Sequence, residues 1–227
     1  AKGISYAFHL APNKAESSPL TSLARQAELV IAEEMPTTIA RKELDLLNDS
    51  VETSFLCVDA SCVLPMQLSD NAFTRAFKYR NATKNEYKKR VSLPWPTTEL
   101  SPNSFPIDSL PFQPVDFEST DITELIAKCE IDHSVSPVAD TQGGTTPGYQ
   151  RWVSFKSKQL TEYANHRNDP LLHGVSRMSA YIHYGMVSPM RLARESAELG
   201  HAGADKYLDE LLFWRELAFV FCFHEKE

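Results

Sequence analysis

Hydrophobic positions in the first third of the chain come in short bursts separated by helical patterns. Ile4, Tyr6, Phe8 and Leu10 alternate with smaller or polar residues, which predicts a strand over 4–10. "PLTSLARQA" (19–27) and "TIARKELDLLN" (38–48) predict helices, while "ELVIAEE" (28–34) and "TSFLCVDASCVLP" (53–65) carry continuous apolar runs and predict strands. The order βαβαβ implies an α/β doubly wound parallel sheet covered on both faces, over residues 1–92. Six prolines follow between 93 and 114 (Pro94, Pro96, Pro102, Pro106, Pro111, Pro114). Each lacks an N–H and fixes φ, so this stretch cannot be a regular helix or central strand. It predicts an interdomain linker over 93–148, held on the folded surface by Trp95, Phe105 and Phe112, with a short helix in "DITELIAKCEID" (121–132) and flexible punctuation in "TQGGTTPG" (141–148).

From 149 the period becomes helical, predicting an all-α domain over 149–227. Tyr149, Trp152, Val153, Leu160 and Tyr163 share one face of an expected long helix, ended by Asn168-Asp169-Pro170. Ser179 is a candidate cap for a turn closed by Gly185, and Ser188-Pro189 opens a helix that Gly200 ends. "DKYLDELLFWRELAFVFCF" (205–223) contains no Gly or Pro and predicts one continuous helix at the centre of that domain.

Composition adds little beyond the globular class: 227 residues, 42% hydrophobic and 23% charged. No apolar run approaches the ~20 residues that span a bilayer, and the N-terminus lacks the pattern of a secretory signal, so an intracellular chain without membrane association is expected. The cysteines Cys57, Cys62, Cys129 and Cys222 are expected to be reduced core thiols, because no CxxC spacing points to zinc. The net charge of −7 argues against a generic nucleic-acid binder, but the charge is uneven. Residues 75–90 hold seven Lys/Arg against one acid, whereas 91–150 hold one against nine. The basic stretch is either a solvated helix face or a docking surface for an anion or a partner.

Candidate chemistry concentrates after 160. The loop following Pro170 presents Ser176, Arg177 and Ser179 beside backbone N–H groups, a set that either caps the next turn or holds anionic oxygens such as those of a pyrophosphate. Tyr163 and Arg167, at i and i+4, are expected to face one ligand. His166, His173, His183, His201 and His224 lack a metal-binding arrangement, so no metal is expected, and His183 is expected to be a packed core histidine. No GxSxG, GxGxxG or P-loop occurs. Glu210, Arg215 and Glu216 on an apolar helix must pair or line a cavity, and Trp214 is either core or a stacking surface for a base.

Together "GG" (143–144), "YAxxRNDP" (163–170), "SxxSxYxHxG" (176–185) and "ELxxxREL" (210–217) resemble the photolyase/cryptochrome family, most closely the class II cyclobutane pyrimidine dimer photolyases and their plant relatives. "FLCVDASCVLP" is similar to a strand of that family's antenna domain. The resemblance implies a partial α/β antenna-type domain and the N-terminal part of a helical FAD-binding domain, hence a chain truncated at both ends. It implies FAD as cofactor, held by Tyr163 and by Val175, Ser176, Arg177, Met178 and Ser179, with an antenna chromophore in the α/β part. It further implies UV-damaged DNA as partner, met by Arg167 and Trp214 around a flipped dimer. The implied activity is light-driven splitting of pyrimidine dimers by electron transfer from reduced FAD, in a monomer of the nucleus or of a plastid or mitochondrion. The electron-relay segment of the family has no counterpart here, so no catalytic residue is assigned. Ala180, Tyr184, Trp214 and Val220 depart from the class II pattern, where Pro, Phe, Arg and Asn are expected, and this leaves open a flavin- or DNA-binding module without repair, or a non-catalytic fragment.

Overall fold

The computed structural model describes residues 4–11, 18–94 and 109–225. Two compact units are present, one of Ala1–Ala32, Lys42–Cys57 and Trp95–Pro137, the other of Glu33–Arg41, Val58–Pro94 and Val138–Glu227. Of the linker residues singled out above, Trp95, Pro96, Pro102, Phe105 and Pro106 lie outside the described residues.

The chain makes α1 (Leu20–Ala24), β1 (Leu29–Glu33), α2 (Thr38–Asp49) and β2 (Ser54–Val58). The two strands form one sheet. Just beyond β1, the Glu34 N–H reaches the Val58 carbonyl at the end of β2 (2.9 Å), so the C-terminal ends adjoin and the strands run parallel. The expected strand over 4–10 is absent. Phe8 instead accepts a hydrogen bond from Val115 N–H (2.9 Å) and packs on Phe117, while His9 meets Phe112 edge-on. The alternating residues therefore line a contact with the segment after the prolines. The sheet is not covered on both faces among the described residues either: Leu29, Ile31, Leu56 and Val58 are exposed.

β2 stops at Val58 where the sequence predicts strand to 65, because the Asp59 carboxylate captures three backbone N–H groups, those of Ser61 (3.0 Å), Cys62 (2.8 Å) and Met66 (2.9 Å). Donors turned onto a side chain cannot serve a ladder. The loop leads to α3 (Ala76–Ser92), the basic stretch of the sequence. Tyr79, Thr83 and Tyr87, at four-residue spacing, are buried, and the lysines take the other faces.

α4 (Ile122–Ala127) is capped by Asp121, whose carboxylate accepts from Thr123 and Glu124 N–H. α5 (Thr145–Lys158) starts four residues before the helical period suggests. Gly148, in the expected flexible stretch, is buried in its first turns, where a Cβ would come within 2.6 Å of Val187 and 2.8 Å of Tyr181. The predicted continuous helix to 167 breaks after Lys158 into a 3-10 turn and the short α6 (Tyr163–His166). This rotation leaves Val153 half exposed and puts Trp152, Phe155 and Tyr163 against Tyr207, with ring centroids 5.3, 5.7 and 5.4 Å from it. Such packed aromatic pairs add about 0.5–1.5 kcal/mol each beyond area burial.

α7 (Ser179–His183) has no side-chain cap; Ser179 is its first residue. α8 (Pro189–Ala197) follows the sequence signals closely, with the Ser188 hydroxyl accepting from Arg191 N–H, Pro189 in the first turn, and Gly200 at φ +60° beyond its end. α9 (Ala202–Leu208) is followed by a π-helical segment (Asp209–Trp214) and by α10 (Arg215–His224). The expected uniform helix is thus interrupted. At roughly 100° per residue, nine residues of regular helix would put Glu216 opposite Tyr207; the wider turn removes about one residue's rotation and brings both inward.

Glu216 is fully buried. Its carboxylate accepts from the Val63 N–H (2.7 Å), the Leu64 N–H (3.1 Å) and the Tyr87 hydroxyl (2.6 Å), tying the 59–66 loop and α3 to α10. Burial pushes its pKa up from 4.5 to about 7, against the opposing effect of Tyr87, the two backbone donors and Arg215. Cys62 is buried beside it, Cys129 is half-buried, and Cys57 and Cys222 are exposed, so the expectation of four core thiols holds for Cys62 alone. On the surface, Glu195 goes the other way: burial raises it, but donors from Lys156, Arg191 and Trp152 prevail and carry it to about 2.

These shifts fix a pH profile. Between pH 4.5 and about 7 the native state retains a proton on Glu216 that the unfolded chain releases, so this contribution is full below pH 4.5 and lost by about pH 7; it amounts to about 3 kcal/mol at 1.4 kcal/mol per pH unit. Glu195 acts oppositely, stabilising above its unfolded value and losing that contribution as pH falls toward 2. Urea unfolding across pH 4–8 should therefore show stability declining from pH 5 to 7, with Glu216→Gln flattening that decline. A profile unchanged by Glu216→Gln contradicts the assignment.

Candidate functional site

The 163–215 segment folds around a cleft of about 340 Å³ in the helical unit. Its walls come from Tyr163 of α6, Ser176 and Met178 of the following loop, Ser179, Ile182 and His183 of α7, and Tyr207, Glu210, Leu211, Arg215 and Phe219 of the α9–π–α10 run. The loop is shaped by its own residues. Asp169 accepts from Leu171 N–H (2.9 Å), and His173 and Arg177 adopt left-handed backbone at φ +44° and +54°. Both are non-glycine residues in a region that costs energy unless the surroundings enforce it.

Ser176 and Ser179 reach the cleft, as the anion reading expects. The Ser176 hydroxyl accepts from Met178 N–H (3.3 Å) and lies beside the Tyr207 hydroxyl, whose pKa is raised by burial and partly lowered by this serine. Met178 is buried and forms a wall. Arg177 does not face the cleft. Its guanidinium forks onto Asp140, with bonds of 2.6 and 3.0 Å, and this pair draws the Asp140 pKa down to about 2. Val175 is exposed and lines, with Ser176, a neighbouring cleft of about 480 Å³ that also contains Arg151, Gln150 and Tyr181. Ser176 is therefore common to both cavities.

Tyr163 and Arg167 meet at Glu210 and do not face one ligand. Arg167 pairs with Glu210 (2.9 Å), which also holds Lys206 (2.7 Å), and Tyr163 lies in their field with its pKa raised mainly by burial. Tyr163 and Glu210 line the cleft; Arg167 stands behind Glu210. Trp214 is half exposed and lies outside the cleft lining, which removes the core alternative. His183 is exposed on the cleft wall, not a core histidine, because α7 is a single short turn whose buried face is taken by Tyr181.

Arg215 is the arginine of this cleft's lining. It lines the cleft, its guanidinium lies 4.7 Å from the Phe219 ring centroid, and its buried Nη1 has no hydrogen-bond partner among the described residues, with the nearest Glu216 oxygen at 3.9 Å. A buried donor left unsatisfied costs about 1–3 kcal/mol, more when charged. Tyr207, Leu211, Arg215 and Phe219 recur at four-residue spacing along this wall. That period was present in the sequence, hidden by apolar residues on every other face.

Among the described residues no group of His, Cys, Asp or Glu can hold a metal ion, and no helix is long and apolar enough to cross a membrane. No protein-family model matches the chain. It is 26% identical over 206 residues to the deoxyribodipyrimidine photo-lyase of Methanothermobacter thermautotrophicus, covering 90% of this chain and 43% of the relative. It is 30% identical over 115 residues to that of Potorous tridactylus, covering 49% and 22%. A bacterial class III photolyase from Agrobacterium tumefaciens shares the fold at a TM-score of 0.58 and 14% identity, over 88% of this chain and 42% of that one. These similarities support the photolyase/cryptochrome family for this chain. The chain spans less than half the length of these photolyases.

The Arg167–Glu210 pair is part-buried, at 25% and 28% side-chain exposure, and Glu210 keeps Lys206 as a second partner. Arg167→Ala should thus cost about 1 kcal/mol in urea unfolding, between exposed and fully buried pairs, with Arg167→Lys recovering part. A loss above about 3 kcal/mol contradicts a shared ion pair.

Proposed function

We propose that the chain is part of a light-driven DNA-repair flavoprotein that splits pyrimidine dimers, and that its helical unit contributes one wall of the FAD site. The observation that carries this reading is Arg215, a guanidinium with an unsatisfied Nη1 beside a cleft that also presents the Ser176 and Ser179 hydroxyls. Cation and hydroxyls fit phosphate oxygens. The acid in the same cleft, Glu210, is offset by Arg167 and Lys206, so it opposes an anion weakly. Because two cavities share Ser176, a ligand with two ends joined by phosphates, as FAD is, can lie across that serine.

FAD, when bound and reduced, supplies the light-driven one-electron chemistry. The protein residues bind and shield. Met178, Leu211 and Phe219 exclude water from the cleft, and Tyr163 and Tyr207 support its floor with their rings packed edge to face. Val175 and Arg177 serve this site indirectly, Val175 in the adjoining cavity and Arg177 by pinning the loop to Asp140. Half-exposed Trp214 offers a flat surface to an extruded base, and Arg167, held by Glu210, is the second residue of this reading on the DNA side.

The test is titration of FAD into the chain, and into the chain extended to the length of its relatives, followed by flavin fluorescence in the dark. Arg215→Ala should weaken binding about 10–100-fold, the range of a lost charge-assisted bond. The flavin-loaded protein should remove dimers from UV-irradiated oligonucleotide only in light. Flavin binding without dimer loss favours a signalling module, and no flavin binding in either length overturns the proposal.

A further inference from the structure

Away from the cleft, α3 and the α9–π run enclose a groove of about 600 Å³. Its floor is apolar: Leu212 is buried, and Val91, Leu208 and Phe213 are half-buried. Its rim is basic. Arg80, Lys84 and Lys88 follow each other at four-residue spacing along α3, so all three stand on one side of the helix, next to the buried Tyr79–Thr83–Tyr87 stripe.

The three cations are not equivalent. Arg80 is engaged, paired with Asp209 and set 5.2 Å from the Phe213 ring centroid, and Lys206 also neutralises Asp209 (2.8 Å). Lys84 and Lys88 have no carboxylate partner among the described residues, and Asp205 is the other acid of the rim. Like charges one turn apart on a helix repel by a few tenths of a kcal/mol, and here no paired acid relieves them. A volume of this size, with an apolar floor of Val91, Leu208, Leu212 and Phe213 and charged groups along its rim, has room for a small molecule with an apolar body and a charged end.

We propose that this groove binds a small aromatic carboxylate, with its ring on Leu212 and Phe213 beside the Arg80 guanidinium and its anion between Lys84 and Lys88. Charge complementarity chooses the occupant: the floor alone would take any apolar body, and the two exposed lysines without an acidic partner favour one that carries an anion. The site is separate from the cleft of Arg215, shares no lining residue with it, and does not depend on the flavin reading.

Sodium 2-naphthoate is the probe, with the neutral 2-naphthamide as charge control, both titrated into the chain and followed by methyl NMR. Naphthoate should give saturable shifts of the Val91, Leu208 and Leu212 methyls, and naphthamide should bind about tenfold more weakly, as should naphthoate to Lys84→Glu/Lys88→Glu. Lys78→Glu/Lys89→Glu, the same change of net charge on α3 at residues outside the groove's lining, should bind as the parent does. Absence of shifts at those methyls overturns the proposal, and so does equal affinity for acid and amide, which needs no variant to be measured.

Discussion

One buried carboxylate organises the helical unit. Glu216 takes two backbone N–H groups from Val63 and Leu64 and a hydroxyl from Tyr87, so a loop, a basic helix and the last helix share one acceptor. Remove it, and two buried backbone donors lose their acceptor at once while Tyr87 is left to the Leu212 carbonyl, which is costlier than the mean hydrogen bond suggests. Tyr87 has a single proton and two acceptors within reach, the Glu216 carboxylate (2.6 Å) and the Leu212 carbonyl (3.0 Å), while Tyr79 stands 2.7 Å away. Protonation of Glu216 therefore bears on the whole chain of bonds; burial raises its pKa, and the network of donors holds that rise in check.

The same residue sets the cleft. The π-helical turn that brings Glu216 inward also fixes where its neighbour Arg215 points, about 100° around the helix and onto the cleft wall. Three other cations near it are ion-paired: Arg177 with Asp140, and Arg167 and Lys206 with Glu210. Arg215 keeps an unpaired nitrogen because its one acidic neighbour is already satisfied by three other donors. Around the cleft, charge is thus sorted into ion-paired groups on α6 and α9 and the Arg215 guanidinium, which lines the cavity.

What could be read from the sequence is the local punctuation. Ser188-Pro189, Gly200 and the β1–α2–β2 order carry their own physics and appear where the pattern puts them. The misreadings share another cause, that tertiary partners decide. Residues 4–10 alternate correctly for a strand but pair with Val115, and "FLCVDASCVLP" is cut short by one aspartate that takes the donors of three later residues. An apolar helix gives no periodic sign of a π-turn, since every phase looks buried, so neither the inward Glu216 nor the outward Trp214 was visible. Ser176 and Ser179 were legible as candidates, yet Arg215 as the decisive group was not, because its lack of a partner is a fact of packing. His183 failed for the converse reason, a polar residue assumed buried on a helix only five residues long.

The most direct test of this account is a crystal structure of the protein grown with FAD. The phosphates are expected within hydrogen-bonding distance of the Arg215 guanidinium and the Ser176 or Ser179 hydroxyl, with Glu216 unmoved against Val63 and Leu64. Phosphates bound elsewhere, or Arg215 turned away to pair with Glu216 while the flavin is in place, would contradict it.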